Sequence, residues 1–166
     1  MSIKLWSVLA VFALASCGFQ PQYGQNSGPS PIIAQKLDSI EIGIIPDREG
    51  QFLRNALIDR FYETGYPSTP RYLLQIRPIQ EQIFDFDVTL EDAATRRQLR
   101  LMINMVLVDR ASNEEILNRS LTANTSYNVL ESEFTNIVTE QSARESALND
   151  LARQIESQIV LYLNRS

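Results

Sequence analysis

The chain has 166 residues, a net charge of −5, a single cysteine and no histidine. The acidic balance argues against the basic patch of a nucleic-acid binder, and the lone cysteine rules out a disulfide framework. Without histidine there is no Ser-His-Asp or Cys-His catalysis, and most zinc sites are lost too.

In chain order, Lys4 is followed by an apolar run, Leu5 to Leu14, and then by the small residues Ala15 and Ser16. A charged start, a short apolar core and small residues before a cut site describe a secretory signal peptide over residues 1–16. The run is shorter than the roughly 20 apolar residues of a transmembrane helix. Leu14-Ala15-Ser16-Cys17 resembles the lipobox of bacterial lipoproteins. That resemblance implies cleavage before Cys17, a diacylglycerol on its thiol and an acyl chain on its new amine, with no further cofactor. Each buried CH₂ contributes about 0.8 kcal/mol, and two lipid signals already suffice for stable anchoring. Loss of Lys4 with the signal takes the charge from −5 to −6 and leaves Lys36 as the sole lysine.

Residues 17–35 read as a flexible tether, because Gly18 to Ser30 is dominated by Gly, Pro, Gln and Ser and buries too little to offset the entropy of ordering. Residues 36–166 are enough for one domain with a real core. Leu37 to Ile45 predicts a strand with Ile40, Ile42 and Ile44 on one face. Pro46 ends it, and Asp47 is placed to cap a helix. Phe52, Leu53, Ala56, Leu57 and Phe61 recur at helical spacing, with Gly65 as C-cap and Pro67 and Pro70 blocking continuation.

Tyr72, Leu74 and Ile76 alternate as a second strand, and Pro78 marks an edge or a bulge beyond which Ile79 to Val88 extends it. Leu99 to Val108 is apolar on both faces, the pattern of a central strand. Asp109 to Asn113 is turn material, and Ile116 to Tyr127 returns as a hairpin partner. Leu117, Leu121, Ala123 and Tyr127 face its core. Asn118, Ser120, Thr122, Asn124 and Ser126 form an uncharged polar stripe on the other side. Such a stripe is either a solvated sheet face or a surface held in a wet channel or against a partner. A long helix runs from about Asn136 or Thr139 to Leu163, with Ala147, Leu148, Leu151, Ala152, Ile155, Ile159 and Tyr162 as its stripe. The expected fold is α+β: a two-layer sandwich, mainly antiparallel four-stranded sheet packed against two helices, in the order β-α-β-β-β-α.

Several stretches carry a resemblance in order and spacing: Cys17-Gly-Phe-Gln-Pro-Gln-Tyr-Gly24, Asp47-Arg-Glu-Gly-Gln-Phe-Leu-Arg-Asn-Ala-Leu57, Ala94-Thr-Arg-Arg-Gln-Leu99, Ser126-Tyr-Asn128 and the terminal helix. Through them the mature chain resembles the LPS-assembly lipoproteins of the LptE family, alphaproteobacterial type. The resemblance implies a two-helix, four-strand sandwich at the outer membrane, facing the periplasm. It implies that the chain plugs and helps assemble the LptD β-barrel and takes part in lipopolysaccharide delivery, without catalysis. Gly18 after the cysteine fits outer-membrane sorting. In that setting Asn118, Ser120, Thr122 and Asn124 become barrel-facing candidates, since a polar barrel interior accepts hydrogen-bonding groups without the cost of burying charge.

For lipopolysaccharide, Arg96, Arg97 and Arg100 are the candidates, because guanidinium forks suit phosphate and carboxylate; a solvated strand end is the plainer alternative. Asp85, Asp87, Glu91 and Asp92 have the oxygen chemistry of a hard-cation site but no EF-hand spacing, and read as a solvated loop with no metal. Asn118-Arg-Ser120 and Asn124-Thr-Ser126 match the glycosylation pattern by chance in a chain with a bacterial lipobox. Two other functions fit a small tethered body. One is a lipid-anchored periplasmic adapter of a lipid ABC transporter or cell-wall synthase. The other is a lipid-anchored hydrolase using the acidic cluster, which lacks a nucleophile elbow.

Overall fold

Strand β4 (Thr95–Asp109) is the axis of the domain, 15 residues long and so about 50 Å from end to end. A computed structural model describes residues 35–62, 65–86, 95–130 and 132–165. The signal, Cys17 and the tether up to residue 34 lie outside the described residues, as do Asp87, Glu91 and Asp92 of the acidic run. The remaining elements are β1 (Ile40–Ile42), α1 (Asp47–Phe61), β2 (Tyr72–Ile76), β3 (Gln80–Phe86), β5 (Glu114–Val129) and α2 (Glu133–Leu163).

β5 pairs antiparallel with β4 along its whole length. The other edge of β4 is shared: β2 pairs with its C-terminal third and β3 with residues Arg96 to Met102. β1 adds to β2 in parallel, Ile40 opposite Tyr72, because α1 carries the chain back across the sheet before β2 begins. Alternation along β4 sends Leu99, Leu101, Ile103, Met105 and Leu107 into the core. There they meet Leu53, Leu57 and Phe61 of α1, and Leu148, Leu151, Ile155 and Ile159 of α2, all buried. Each such side chain contributes about 1.5–3 kcal/mol of burial.

The sheet has five strands, not four, and Pro78 is the reason. Ile76 lies opposite Met105, but Gln80 lies opposite Met102. Four steps on one strand therefore match three on the other, a one-residue bulge at Arg77–Ile79. Proline is tolerated there because no ladder bond needs its nitrogen. The bulge also exchanges faces. Tyr72, Leu74 and Ile76 turn inward in β2, whereas Glu81, Ile83 and Asp85 share the helix side in β3, opposite Leu101, Leu99 and Arg97.

Three local expectations are corrected. The first strand is only Ile40–Ile42; residues 35–37 form a helical turn instead, which still buries Leu37. Asp47 does not cap α1: the N-cap is Pro46, without a side-chain bond, and Asp47 itself sits at φ +68°, a left-handed conformation that Asp tolerates. α1 ends at the extended Tyr62 rather than at Gly65, whose φ of +110° serves the following turn. Tyr62 earns this position through its hydroxyl, which donates to the Ile40 carbonyl at 2.7 Å and accepts from the Ile42 amide at 3.2 Å. Burial pushes that hydroxyl's pKa above the usual tyrosine value. α2 starts slightly earlier than expected, capped by the Ser132 side chain, which accepts from the Thr135 amide.

Candidate functional site, the polar sheet face

The face of the sheet away from the helices is where the expected site residues gather. Its β5 half presents Asn118, Ser120, Thr122, Asn124, Ser126 and Asn128, all exposed. Opposite them on β4 stand Val106, Asn104, Met102, Arg100, Gln98 and Arg96. Cross-strand bonds hold these side chains in place. Asn104 Nδ2 donates to Asn118 Oδ1 at 3.0 Å and to Ser120 Oγ at 3.4 Å, and Arg100 Nε donates to Asn124 Oδ1 at 3.0 Å. All of these except Val106 and Met102 hydrogen-bond readily, and from Met102 to Val106 with their β5 partners Asn118 to Thr122 no residue on this face is charged. The bulge leaves a shallow concavity beside this band, between Pro78, Gln80, Asn104 and Ser120.

The arginine cluster divides. Arg96 and Arg100 lie on the polar face, opposite Phe86 and Gln82 of β3, and the Arg100 guanidinium sits 4.8 Å from the Phe84 ring centroid, within cation–π range. Arg97 lies on the helix side with Leu99. Its Nε donates to Asp85 Oδ1 at 2.6 Å, and that bond raises its pKa further, helped by the Tyr127 hydroxyl. Period-two alternation already separates Arg97 from its neighbours; contiguity in sequence obscures it. Asp85, the described member of the acidic run, is thus Arg97's ion-pair partner, and no metal-holding group of three His, Cys, Asp or Glu occurs among the described residues.

Sequence reasoning missed the network beneath Arg97. Arg144 of α2 reaches the Glu81 carboxylate with two nitrogens, at 2.8 and 2.9 Å, and Glu140 at 2.8 Å. The Tyr127 hydroxyl donates to the other Glu140 oxygen at 3.1 Å. The Arg144 bond holds the Glu140 carboxyl below its ordinary pKa, and the two carboxylates raise that of Arg144. Burial, then the Glu140 carboxylate, raises the Tyr127 pKa. No sequence spacing signals this cluster, because β3, β5 and α2 meet only through the sheet order.

The same end of the domain exposes apolar side chains: Phe84 and Phe86 on the polar face, Ile83 on the helix side of β3, and Leu130, Phe134, Ile137 and Val138 where β5 passes into α2. Arg96 and Arg100 border the first pair. Cationic forks beside exposed rings form an amphipathic patch suited to an anionic amphiphile. No helix among the described residues is long and apolar enough to cross a membrane.

Comparison with known proteins agrees with this architecture. The family model LptE, lipopolysaccharide-assembly, matches residues 37–163. No functionally curated protein matches the sequence. Among solved structures, a candidate lipoprotein from Caulobacter crescentus superposes with a TM-score of 0.62 at 20% identity, covering 81% of this chain and 97% of that one. The minor lipoprotein of Acinetobacter baumannii gives 0.51 at 25% identity, over 76% and 91%. Rare lipoprotein B of Shewanella oneidensis gives 0.56 at 8% identity, over 75% and 95%, which shows a shared fold.

Proposed function

We propose, from the premise that this chain belongs to the LptE lipopolysaccharide-assembly family, that it plugs an LptD-type outer-membrane β-barrel and helps that barrel assemble. Family membership carries the role in lipopolysaccharide assembly; the plug arrangement is the finer reading. The observation that supports it best is the uncharged, hydrogen-bonded face built by Asn104, Asn118, Ser120 and Thr122. A barrel interior is polar and wet, and a plug facing it with Asn, Ser and Thr pairs those groups without desolvating an ion. Family membership supports a structural and transporting role rather than a catalytic one.

In this reading Cys17 carries the lipid that holds the domain on the periplasmic side of the outer membrane. Arg96 and Arg100, with Phe84 and Phe86 beside them, contact lipopolysaccharide through its anionic groups and its apolar portion. Arg97 supports the fold through Asp85 instead.

The test is affinity purification of the full-length, acylated protein from detergent-extracted outer membranes, with the co-purifying chain identified by mass. A near-stoichiometric large β-barrel is the expected result. Recovery of a periplasmic transporter or synthase with no barrel overturns the plug reading and favours an adapter.

A further inference from the structure

The outer strands of this sheet are finished differently, and β3, an edge strand of seven residues, carries the charges of Glu81 and Asp85. At β1 only three residues are exposed to pairing, and the outward polar groups of Ile40 and Ile42 are closed by the Tyr62 hydroxyl. Opposite these stands β5, 16 residues long, with no further strand beside it among the described residues. In an antiparallel pair, alternate residues turn their N–H and C=O groups toward the neighbour and away from it. The bonds present identify which are which. The Thr122 carbonyl accepts from Gln154 of α2 at 3.1 Å, the Asn118 carbonyl accepts from Arg119, and Leu130 is bonded at both N–H and C=O by the Asn136 amide, each at 2.7 Å. The even-numbered residues therefore face outward.

Between the Thr122 and Leu130 caps lies a window, Asn124, Ser126 and Asn128, whose outward N–H and C=O groups have no partner among the described residues. Proteins protect exposed edges with charge, proline, bulges or a covering element. Ser120 to Leu130 contains no charge and no proline, the bulge of this ladder lies at its far end, near Leu107/Val108, and the three window side chains are exposed. Among the described residues nothing covers this window.

We infer that residues Asn124–Asn128 pair, by β-strand addition, with an extended uncharged segment of the barrel partner's polypeptide. This rests on the plug reading above and states how the two chains are joined. Main-chain bonds supply affinity in such pairings, and the window is long enough for a segment of about five residues. A second copy is the poorer occupant. Two-fold pairing about Ser126 would set each Leu130–Asn136 cap against its mate's Thr122–Gln154 cap, and it would bring together two acidic chains, each −6 after loss of the signal.

Amide hydrogen exchange, resolved to single residues by fragmentation, tests this on the native chain, free and in the complex drawn from detergent-extracted outer membranes. In the free chain Asn124, Ser126 and Asn128 should exchange rapidly while Thr125 and Tyr127 are protected; in the complex all five should be protected. Ser126→Pro removes an outward donor without touching the β4 ladder, so it should recover about tenfold less barrel at an unchanged melting temperature, whereas Ser126→Ala should recover as much as the native chain. If barrel is recovered and the three amides still exchange rapidly, strand pairing is wrong and the plug reading stands. If no barrel is recovered with the native chain, both fail. Protection that grows with concentration in the isolated protein assigns the edge to a second copy and overturns the inference.

Discussion

Replacing Arg144 with Met tests whether the ionic network fastens α2 to the sheet. The guanidinium is only 14% exposed and bonds two carboxylates, Glu81 and Glu140, whose side chains are 30% and 31% exposed. A charge-assisted bond removed from a fully buried site costs about 1.5–3 kcal/mol, and an exposed ion pair about 0–1 kcal/mol. Both carboxylates can rehydrate in the variant, but they then repel each other across β3 and α2, so a net loss of about 2 kcal/mol is expected. For a domain of this size that lowers Tm by about 8 °C. The effect must depend on pH. Arg144 depresses the Glu140 pKa below its ordinary 4.5, so this contribution is present above 4.5 and is lost as pH falls through the lower native value. Calorimetry of Arg144→Met and the native domain should show curves well separated at pH 7 that converge in acid. An equal separation at pH 7 and at pH 3 refutes the electrostatic account and leaves only lost packing of the arginine stem.

Other outcomes follow from the same geometry. Leu151→Ala, at a fully buried position between α2 and the sheet, should cost about 3 kcal/mol in urea denaturation. Gly50→Ala should destabilise despite alanine's better helix propensity, because the added Cβ would lie 2.8 Å from Ile45 Cγ2 and 2.9 Å from its carbonyl carbon and oxygen; a loss of about 1–3 kcal/mol is expected, measured by the same titration. Arg96→Ala with Arg100→Ala should reduce lipopolysaccharide retention on the immobilised protein, while Arg97→Ala should leave retention intact and change Tm little, since the Asp85 side chain is 64% exposed and rehydrates; the reverse pattern rejects the division of the cluster.

Much of the candidate surface was legible because faces follow from local alternation. Leu117, Ala123 and Tyr127 of β5 turn inward and Asn118, Ser120, Thr122 and Asn124 turn outward in the structure, as their period of two requires. The helix stripes were equally plain: Ala147, Leu148, Leu151, Ala152, Ile155 and Ile159 are all buried. Cap positions were less secure. At Asp47 the local preference did not hold: the chain enters α1 through Pro46, with Asp47 at φ +68°. Arg97 shows a different failure, a cluster judged by nearness in sequence when parity along the strand already separated it.

By itself, then, the sequence determined the two helices, the long hairpin of β4 and β5 and the faces of their side chains. Each of these rests on interactions within a few residues. Only the tertiary structure decided which strands are neighbours. The one-residue bulge at Pro78 lets β2 and β3 share one edge of β4 and places Glu81 beneath Arg144, and across β4 the outer edge of β5 carries no strand among the described residues. Pairing joins residues far apart along the chain, and its free energy comes from backbone groups that every sequence carries alike. No local pattern can record which edge is left unpaired, and at β5 that open edge is the one to which a partner strand is assigned.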